Sequence, residues 1–418
     1  MIIPSIDLQN GSTVQLIGGR EKALDAGDPI PIAERFRLAG EIAVIDLDAA
    51  VGTGSNTDLI REIVRIAPCR VGGGIRDAAT ALDWLDAGAC KVIIGTAAVP
   101  EVLEQLPSER VIAALDAVDG QVVIEGWRKE TDRSIEERML ELKGMVGGFL
   151  VTFVEREGRQ VGIDPERVKE LARIARPARL TVAGGVRSAD EIGVIDRLGA
   201  DAQVGMALYS GGFSLGDAIA ATITSDREDG LWPTVVVDEI GTILGLVWSD
   251  RESLEEAIRR RRGIYHSRSR GLWIKGETSG ATQELLAVDL DCDRDALRFT
   301  VRQNGSGFCH SGTRTCWGED RGFAHLFRRL SGRLRSAPAG SYTARLLADA
   351  DLLAAKLTEE AGELAEATTR PEVIHESADL LYFTLVTMIR NGVDLEEVAA
   401  ELDRRSLRVR RRDEQVQS

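Results

Sequence analysis

The sequence is short of what several large classes of protein need. A net charge of −15 argues against a general binder of nucleic acid or anionic membrane. Long apolar runs are missing: the best, at residues 380–389, is interrupted by Thr384 and Thr387 and is too short to span a bilayer. The opening Met1-Ile2-Ile3-Pro4-Ser5-Ile6-Asp7 lacks the basic region and apolar core of a signal peptide, which points to the cytoplasm. Five cysteines, an odd number, do not make a disulfide framework. Core material is ample: 44% of 418 residues are hydrophobic, enough for two to four domains. The excess carboxylates suit divalent cations.

Up to about Thr224, short β-rich runs (Val44-Ile45, 91–94, 111–115, 149–151) alternate with helical patterns, which predicts a parallel sheet. This region repeats itself. Gly73-Gly74-Ile75-Arg76 and Gly184-Gly185-Val186-Arg187 are each followed by a Gly-Ala pair, and residues 6–11 match 115–120, at offsets of 111 and 109. Two half-units of four βα pairs close a (β/α)8 TIM barrel; an open doubly wound sheet is the alternative. Asp7 and Asp116 then end strands 1 and 5, where barrel catalysis occurs, as a base and acid pair. Gly73-Gly74 with Gly95-Thr96, and Gly184-Gly185 with Gly205-Met206, read as two backbone phosphate sites, or else as tight βα turns. Two phosphates and an acid/base pair imply a long bis-phosphorylated substrate.

Polar Ser225-Asp226-Arg227-Glu228-Asp229-Gly230 reads as a linker. Residues 231–318 then read as a small α+β domain: a hairpin over 234–248, a helix over 249–262, and strands at 271–274 and 285–290. Residues 322–418 have helical periodicity, interrupted at 336–340, and read as an all-α domain of three or four helices with a frayed tail. The domains are thus 1–224, 231–318 and 322–418.

Asp291-x-Asp293-x-Asp295 puts three carboxylates at alternate positions, sharing one face if extended, with Cys292 on the other. Such crowding wants a cation. An EF-hand loop needs Gly at its sixth position and Glu at its twelfth, and Ala296 and Arg302 stand there. A hard cation such as Mg²⁺ remains. Cys292, Cys309 and Cys316 offer three thiolates for Zn²⁺, leaving the fourth position for water. His310 follows Cys309 and is a candidate fourth ligand or catalytic group. The plain alternative is buried cysteines beside a charged strand. Ser267-Arg268-Ser269-Arg270 and Lys275-Gly276-Glu277-Thr278-Ser279-Gly280 combine guanidiniums on one strand face with exposed backbone amides, which suits phosphate or is simply a solvated basic run.

Together with Gly307-Phe308-Cys309-His310, these segments resemble the phosphoribosyl-AMP cyclohydrolase family of histidine biosynthesis across nearly all of 231–318. The resemblance implies Zn²⁺ on Cys292, Cys309 and Cys316, Mg²⁺ on Asp291, Asp293 and Asp295, a zinc site shared across a homodimer, and hydrolytic opening of the adenine ring between N1 and C6. His266 stands where the family usually has an aromatic residue.

Further on, Lys356, Glu360 and Glu363 form one stripe with Glu359 beside it, and Glu376 and Asp379 are neighbours ahead of Leu380-Leu381-Tyr382-Phe383. A solvated acidic face is the bland reading. Carboxylates on a helix that is largely core are costly unless paired or metal-bound. Glu-x-x-Glu followed by Glu-x-x-Asp resembles the all-α nucleoside triphosphate pyrophosphohydrolases, and Ser341-Tyr342-Thr343-Ala344-Arg345 narrows this to the phosphoribosyl-ATP pyrophosphohydrolase branch. The likeness implies Mg²⁺ on Glu360, Glu363, Glu376 and Asp379, with Lys356 and Glu359 as helpers. A general nucleotide-cleansing hydrolase is the rival.

The barrel resembles the histidine-pathway sugar isomerase through Ile3-Pro4-Ser5-Ile6-Asp7-Leu8, Asp46-Leu47-Asp48, Gly72-Gly73-Gly74-Ile75-Arg76, Gly126-Trp127 and Ala207-Leu208-Tyr209. That makes Asp7 the base, Asp116 the acid and Thr152 a supporting group. Gln15 replaces a usual Arg, and Phe153-Val154-Glu155-Arg156-Glu157-Gly158-Arg159 replaces a usual Asp-Ile-x-x-Asp-Gly-Thr. Residues 229–412 are also similar to fungal multifunctional histidine proteins. The implied function is three successive steps of histidine synthesis on phosphoribosyl nucleotides; the alternative is a bifunctional hydrolase whose barrel is a scaffold or dimer partner.

Overall fold

A computed structural model describes residues 1–19, 21–124, 127, 129–318, 320–336, 338 and 340–410. It forms two compact units. The first comprises 1–236, 246–305 and the described residues from 405 onward; the second comprises 237–245 and 306–404.

Eight parallel strands begin the first unit: β1 (Ile2–Gln9), β2 (Ile42–Asp46), β3 (Cys69–Gly72), β4 (Lys91–Ile94), β5 (Val111–Val118), β6 (Gly148–Phe153), β7 (Arg179–Ala183) and β8 (Ala200–Val204). Each pairs with the next, and β8 returns to β1 with Ala202 beside Ile2. The sheet is therefore a closed barrel and not an open one. Its strands are β-branched-rich because both faces are buried. Ile93, Ile112, Leu150 and Ala183 fill its interior, while outer helices such as Thr57–Ile66 turn Ile60, Ile63 and Val64 inward at helical spacing. The repeat is visible in detail: β1 and β5 each run into an antiparallel extension, Ser12–Ile17 and Gln121–Ile124.

Six antiparallel-rich strands follow: β9 (Trp232–Asp238), β10 (Ile243–Ser249), β11 (Ile264–Ser267), β12 (Gly271–Ile274), β13 (Gln283–Leu290) and β14 (Leu297–Gln303), in the order β12-β11-β10-β9-β14-β13. The helix Arg251–Arg260 buries Leu254, Ala257 and Ile258 and is capped by Asp250, so it starts and stops inside the 249–262 window. Within the first unit this sheet region packs on the barrel, where Glu255 abuts Gly216 and Arg261 pairs with Glu34 at 3.2 Å.

The helical region comprises α1 (Gly322–Ser336), α2 (Tyr342–Ala348), α3 (Ala350–Glu366), α4 (Arg370–Arg390) and α5 (Leu395–Ser406). Five helices are described where three or four were expected, because the Asp349 carboxylate caps Leu352 N–H at 3.0 Å and starts a new helix there. Phe327, Leu330, Leu346, Leu353, Phe383, Leu385, Val386 and Ile389 form the core. The apolar run at 380–389 is thus the core-facing half of α4. Among the described residues, no helix is long and apolar enough to cross a membrane.

Candidate active sites

Asp7 on β1 and Asp116 on β5 both turn into the mouth at the C-terminal ends of the strands. Ser5 Oγ donates to Asp7 Oδ1 at 2.7 Å, and Gln15 Nε2 to Oδ2 at 3.3 Å. Burial outweighs those bonds and raises the Asp7 carboxyl to about 6. Burial also raises Asp116, against hydrogen bonds from Trp127 and Thr152; Thr152 is its register partner on β6. Gly126, beside Trp127, lies outside the described residues. A third carboxyl joins them. Glu157, on the turn after β6, is raised to about 8, first by burial and then by the charges of Asp7 and Asp116. Gln15 is buried, and its amide lies where a Cβ on Gly205 would stand, 2.2 Å from its Oε1. A neutral amide therefore sits beside Asp7 at the position of the usual Arg.

Gly184, Gly185, Gly205 and Met206 line one small pocket together with Glu157. Gly184 has φ +88°, and an added Cβ would lie 2.6 Å from Phe153 O, so only glycine fits. Gly73-Gly74 and Gly95-Thr96 end adjacent strands, with Gly72 beside Ile93 in register. A separate cleft of about 410 Å³ opens at the same end, lined by Asn10, Asp48, Ser55 and Asn56 and by none of the three carboxyls. Asp46 and Asp48 are absorbed in holding that loop: Asn56 Nδ2 donates to them at 2.8 and 3.0 Å.

Asp291, Asp293 and Asp295 offer oxygens within 4.8 Å of one another, all exposed. The means differs from the expected strand alternation: residues 291–296 are the loop between β13 and β14, with Arg294 left-handed at φ 69°. Cys292 is not segregated to an opposite face; its Sγ lies 4.0 Å from Asp293 Oδ1. The crowding is felt by Asp295, whose carboxyl is raised by Asp293 first, then by burial and by Asp291. Ser267 ends β11, and Arg268, Ser269 and Arg270 form the turn to β12, so the arginines do not share a strand face. Arg268 stacks over Trp248 and Arg270 over Trp273 instead, at 5.7 and 5.9 Å. Glu277, Thr278 and Ser279 are exposed, whereas Lys275 is buried with its Nζ on Ala281 O at 3.3 Å. His266, the departure from an aromatic, bonds Asp250 at 2.7 Å.

Cys309 and Cys316 close a tight loop in the second unit. Ser311 Oγ lies 3.0 Å from Cys309 Sγ, and its hydrogen bonds, with smaller help from Thr313 and Cys316, lower the thiol to about 6. Cys292 is carried by the first unit, so neither unit holds the set of three. His310 is exposed with Nδ1 3.9 Å from Cys309 Sγ. The loop is fixed from behind: Arg314 reaches buried Asp238 at 2.9 Å, and Arg328 of α1 reaches the same carboxylate at 3.1 Å.

On α3 and α4, Glu360, Glu363 and Glu376 bring oxygens within 4.8 Å. Glu360 is buried and pairs with Lys356 at 3.3 Å, which also holds Glu359 at 2.7 Å. Burial, then the charge of Glu376, raises Glu363. Asp379 lies outside this trio, with Oδ2 3.5 Å from His375 Nε2.

Family models match three stretches: Histidine biosynthesis protein over residues 1–214, Phosphoribosyl-AMP cyclohydrolase over 245–318 and Phosphoribosyl-ATP pyrophosphohydrolase over 323–406. The chain belongs to the histidine biosynthesis proteins. It is 49% identical over 199 residues to the histidine biosynthesis bifunctional protein his7 of Schizosaccharomyces pombe, covering 48% of each chain. To the trifunctional protein of Saccharomyces cerevisiae it is 47% identical over 196 residues, 46% of this chain and 24% of the relative. To the bifunctional protein HisIE of Thermus thermophilus it is 45% identical over 190 residues, 42% of this chain and 88% of the relative. The chain thus spans about half, or less, of the length of these fungal relatives.

In this histidine biosynthesis protein, two groups escaped the residue-by-residue reading. Glu157 registered only as a departure from a family pattern, and Asp238 not at all. The signal for Glu157 was its spacing of five residues after Thr152; nothing in the sequence flags Asp238.

Proposed function

We propose that the chain performs three successive steps of histidine synthesis: pyrophosphate release from phosphoribosyl-ATP, hydrolytic opening of the adenine ring of phosphoribosyl-AMP, and isomerisation of the resulting aminoaldose to the aminoketose. The observation that carries this is the conjunction of three separate reactive clusters, each inside a stretch matching a different histidine-biosynthesis model. The substrates are small phosphoribosyl nucleotides. A homodimer through the cyclohydrolase region and a cytoplasmic location belong to the same reading.

In the barrel, a protonated carboxyl gives its proton to the ring oxygen as the C1–O bond opens, and Asp7, opposite, then takes the proton from C2, leaving an enaminol that tautomerises to the aminoketose. Asp116 is the acid on the sequence reading; the higher affinity of Glu157 for a proton equips it to share that task. Thr152 orients Asp116. The glycine pairs receive the two phosphates on backbone amides.

For the hydrolases, the donor sets fit the implied ions. Three clustered carboxylates suit Mg²⁺ at Asp291, Asp293 and Asp295, and again at Glu360, Glu363 and Glu376 with Asp379 one turn along. Thiols suit Zn²⁺ at Cys292, Cys309 and Cys316, and the hydrogen bonds that favour the Cys309 thiolate favour a ligand. When bound, these ions supply charge stabilisation and a water activated near neutral pH. The chain's own residues do the rest: Lys356 fixes Glu359 and Glu360, and the exposed Thr278-Ser279 segment and the guanidiniums of Arg268 and Arg270 are placed to meet phosphate.

Supplying the purified protein with phosphoribosyl-ATP, Mg²⁺ and Zn²⁺ and identifying where conversion stops tests the whole reading. Aminoketose is expected, and an Asp7→Asn protein should halt at the aminoaldose. Accumulation of aminoaldose by the unaltered protein would sink the catalytic barrel and leave a scaffold.

A further inference from the structure

The tip of the β13–β14 hairpin carries the three aspartates, and the barrel grips it. Arg294 stands between Asp293 and Asp295 in a backbone conformation that side-chain-bearing residues keep only where their surroundings hold them. Its guanidinium meets both oxygens of Asp196 at 3.1 and 3.2 Å. Asp196 closes the barrel helix Ala189–Arg197, is 7% exposed, and also takes the amino group of Met1, with Arg179 at 3.9 Å. Thr224 donates its N–H to Arg294 O at 2.8 Å and its hydroxyl to Asp293 O at 3.0 Å. From inside the loop, Asp291 Oδ1 accepts the N–H groups of Asp295 and Ala296 at 3.0 and 3.1 Å. The backbone of the loop is therefore tied to the barrel while its carboxylates face solvent.

We propose that Arg294, anchored by Asp196 and supported by Thr224, is a positioning residue for the Asp291–Asp293–Asp295 cation site, so that the barrel serves the ring-opening step as well as its own. The inference rests on the reading that these aspartates bind a divalent cation. The grip lies at the end of the barrel opposite Asp7 and Asp116, since Asp196 precedes β8, so the two roles do not compete for one surface.

Charge alone predicts the reverse outcome from geometry. A guanidinium among cation ligands repels the cation, so deleting it should tighten binding. If Arg294 acts by holding the loop, deleting it loosens binding.

Mn²⁺ titration of the zinc-replete full chain, followed by the electron paramagnetic resonance of the free ion, reads the difference. Glu363→Gln and Glu376→Gln are included to silence the helical cluster. Arg294→Gln is expected to weaken Mn²⁺ binding by about tenfold or more, the scale of losing an outer-shell support. Thr224→Val, which changes no charge, should weaken it in the same direction by less. Arg294→Lys should restore little, because a point charge cannot reproduce the two-oxygen fork. In the protein with its glutamates intact, the Mg²⁺ concentration for half-maximal ring opening should rise while kcat at saturating Mg²⁺ is kept. Unchanged or tighter Mn²⁺ binding by Arg294→Gln overturns the proposal. Asp293→Asn separates the two failures: if it leaves Mn²⁺ binding intact, the cation reading itself falls; if it abolishes binding while Arg294→Gln does not weaken it, only the positioning role falls.

Discussion

At the residue scale, the barrel mouth is a problem of three buried carboxyls, each raised chiefly by its burial. Asp7 must be ionised to take a proton and its partner protonated to give one, so the isomerase rate should rise with pH through about 6 and fall through about 8. A profile of kcat/KM against pH checks this, and Glu157→Gln should remove or shift the falling limb. The same shifts bear on stability. A carboxyl raised in the folded state binds its proton more tightly there than in the unfolded chain, so its contribution is present at low pH and lost as pH climbs through the folded value. Glu157→Gln should therefore raise Tm over the unaltered protein by an amount that grows from about pH 5 to pH 9, measured by calorimetry. Asp7 and Asp116 were legible because the repeat doubled them. Glu157 was harder: its role comes from a turn that swings it back over the strand ends, and a turn's direction is not written in its composition.

At the scale of elements, α3 and α4 face each other through acidic side chains above an apolar core, with Lys356 paired to Glu359 and Glu360. Lys356 answers Glu360, and Glu363 is still raised by burial and by Glu376, so a divalent cation has charge left to neutralise. Millimolar Mg²⁺ should raise the Tm of the helical transition, and Glu376→Gln should raise it in the absence of Mg²⁺ by relieving Glu363. The same substitution should cut pyrophosphate release by about 100-fold or more, since the ion's charge stabilisation is worth several kcal/mol. Periodicity made both helices legible, because Leu353, Leu357, Phe383 and Val386 recur at helical spacing. It failed at the loops. Alternation aligns the side chains of Asp291, Asp293 and Asp295 only if the backbone is extended, whereas a left-handed Arg294 gathers them within a loop. Arg268 and Arg270 likewise belong to a turn, where stacking on Trp248 and Trp273 takes the place of a strand face.

At the scale of the molecule, the closed barrel, the sheet region and the helices follow in the order expected of the chain, and the alternation of β-rich and helical runs together with the repeat made the barrel legible. What lay beyond reach was which parts hold which. The sheet region packs with the barrel through Gly216, Glu34 and Asp196, contacts between residues far apart in sequence and ordinary in type. Asp238 is of the same kind, an acidic residue in a hairpin that becomes the shared anchor of Arg314 and Arg328.

That anchor has a consequence for heredity. Asp238→Ala would take from Arg314 and Arg328 the buried carboxylate they share, while Arg328 keeps Asp320 at 2.6 Å, at a cost of about 1–3 kcal/mol, and it would do so between the cysteine loop and the first helix of the next region. One missense change should then behave in a growth test like a lesion in two adjacent genes. Cells relying on this chain would need histidine, and neither a separate ring-opening enzyme nor a separate pyrophosphate-releasing enzyme, supplied alone, would rescue them.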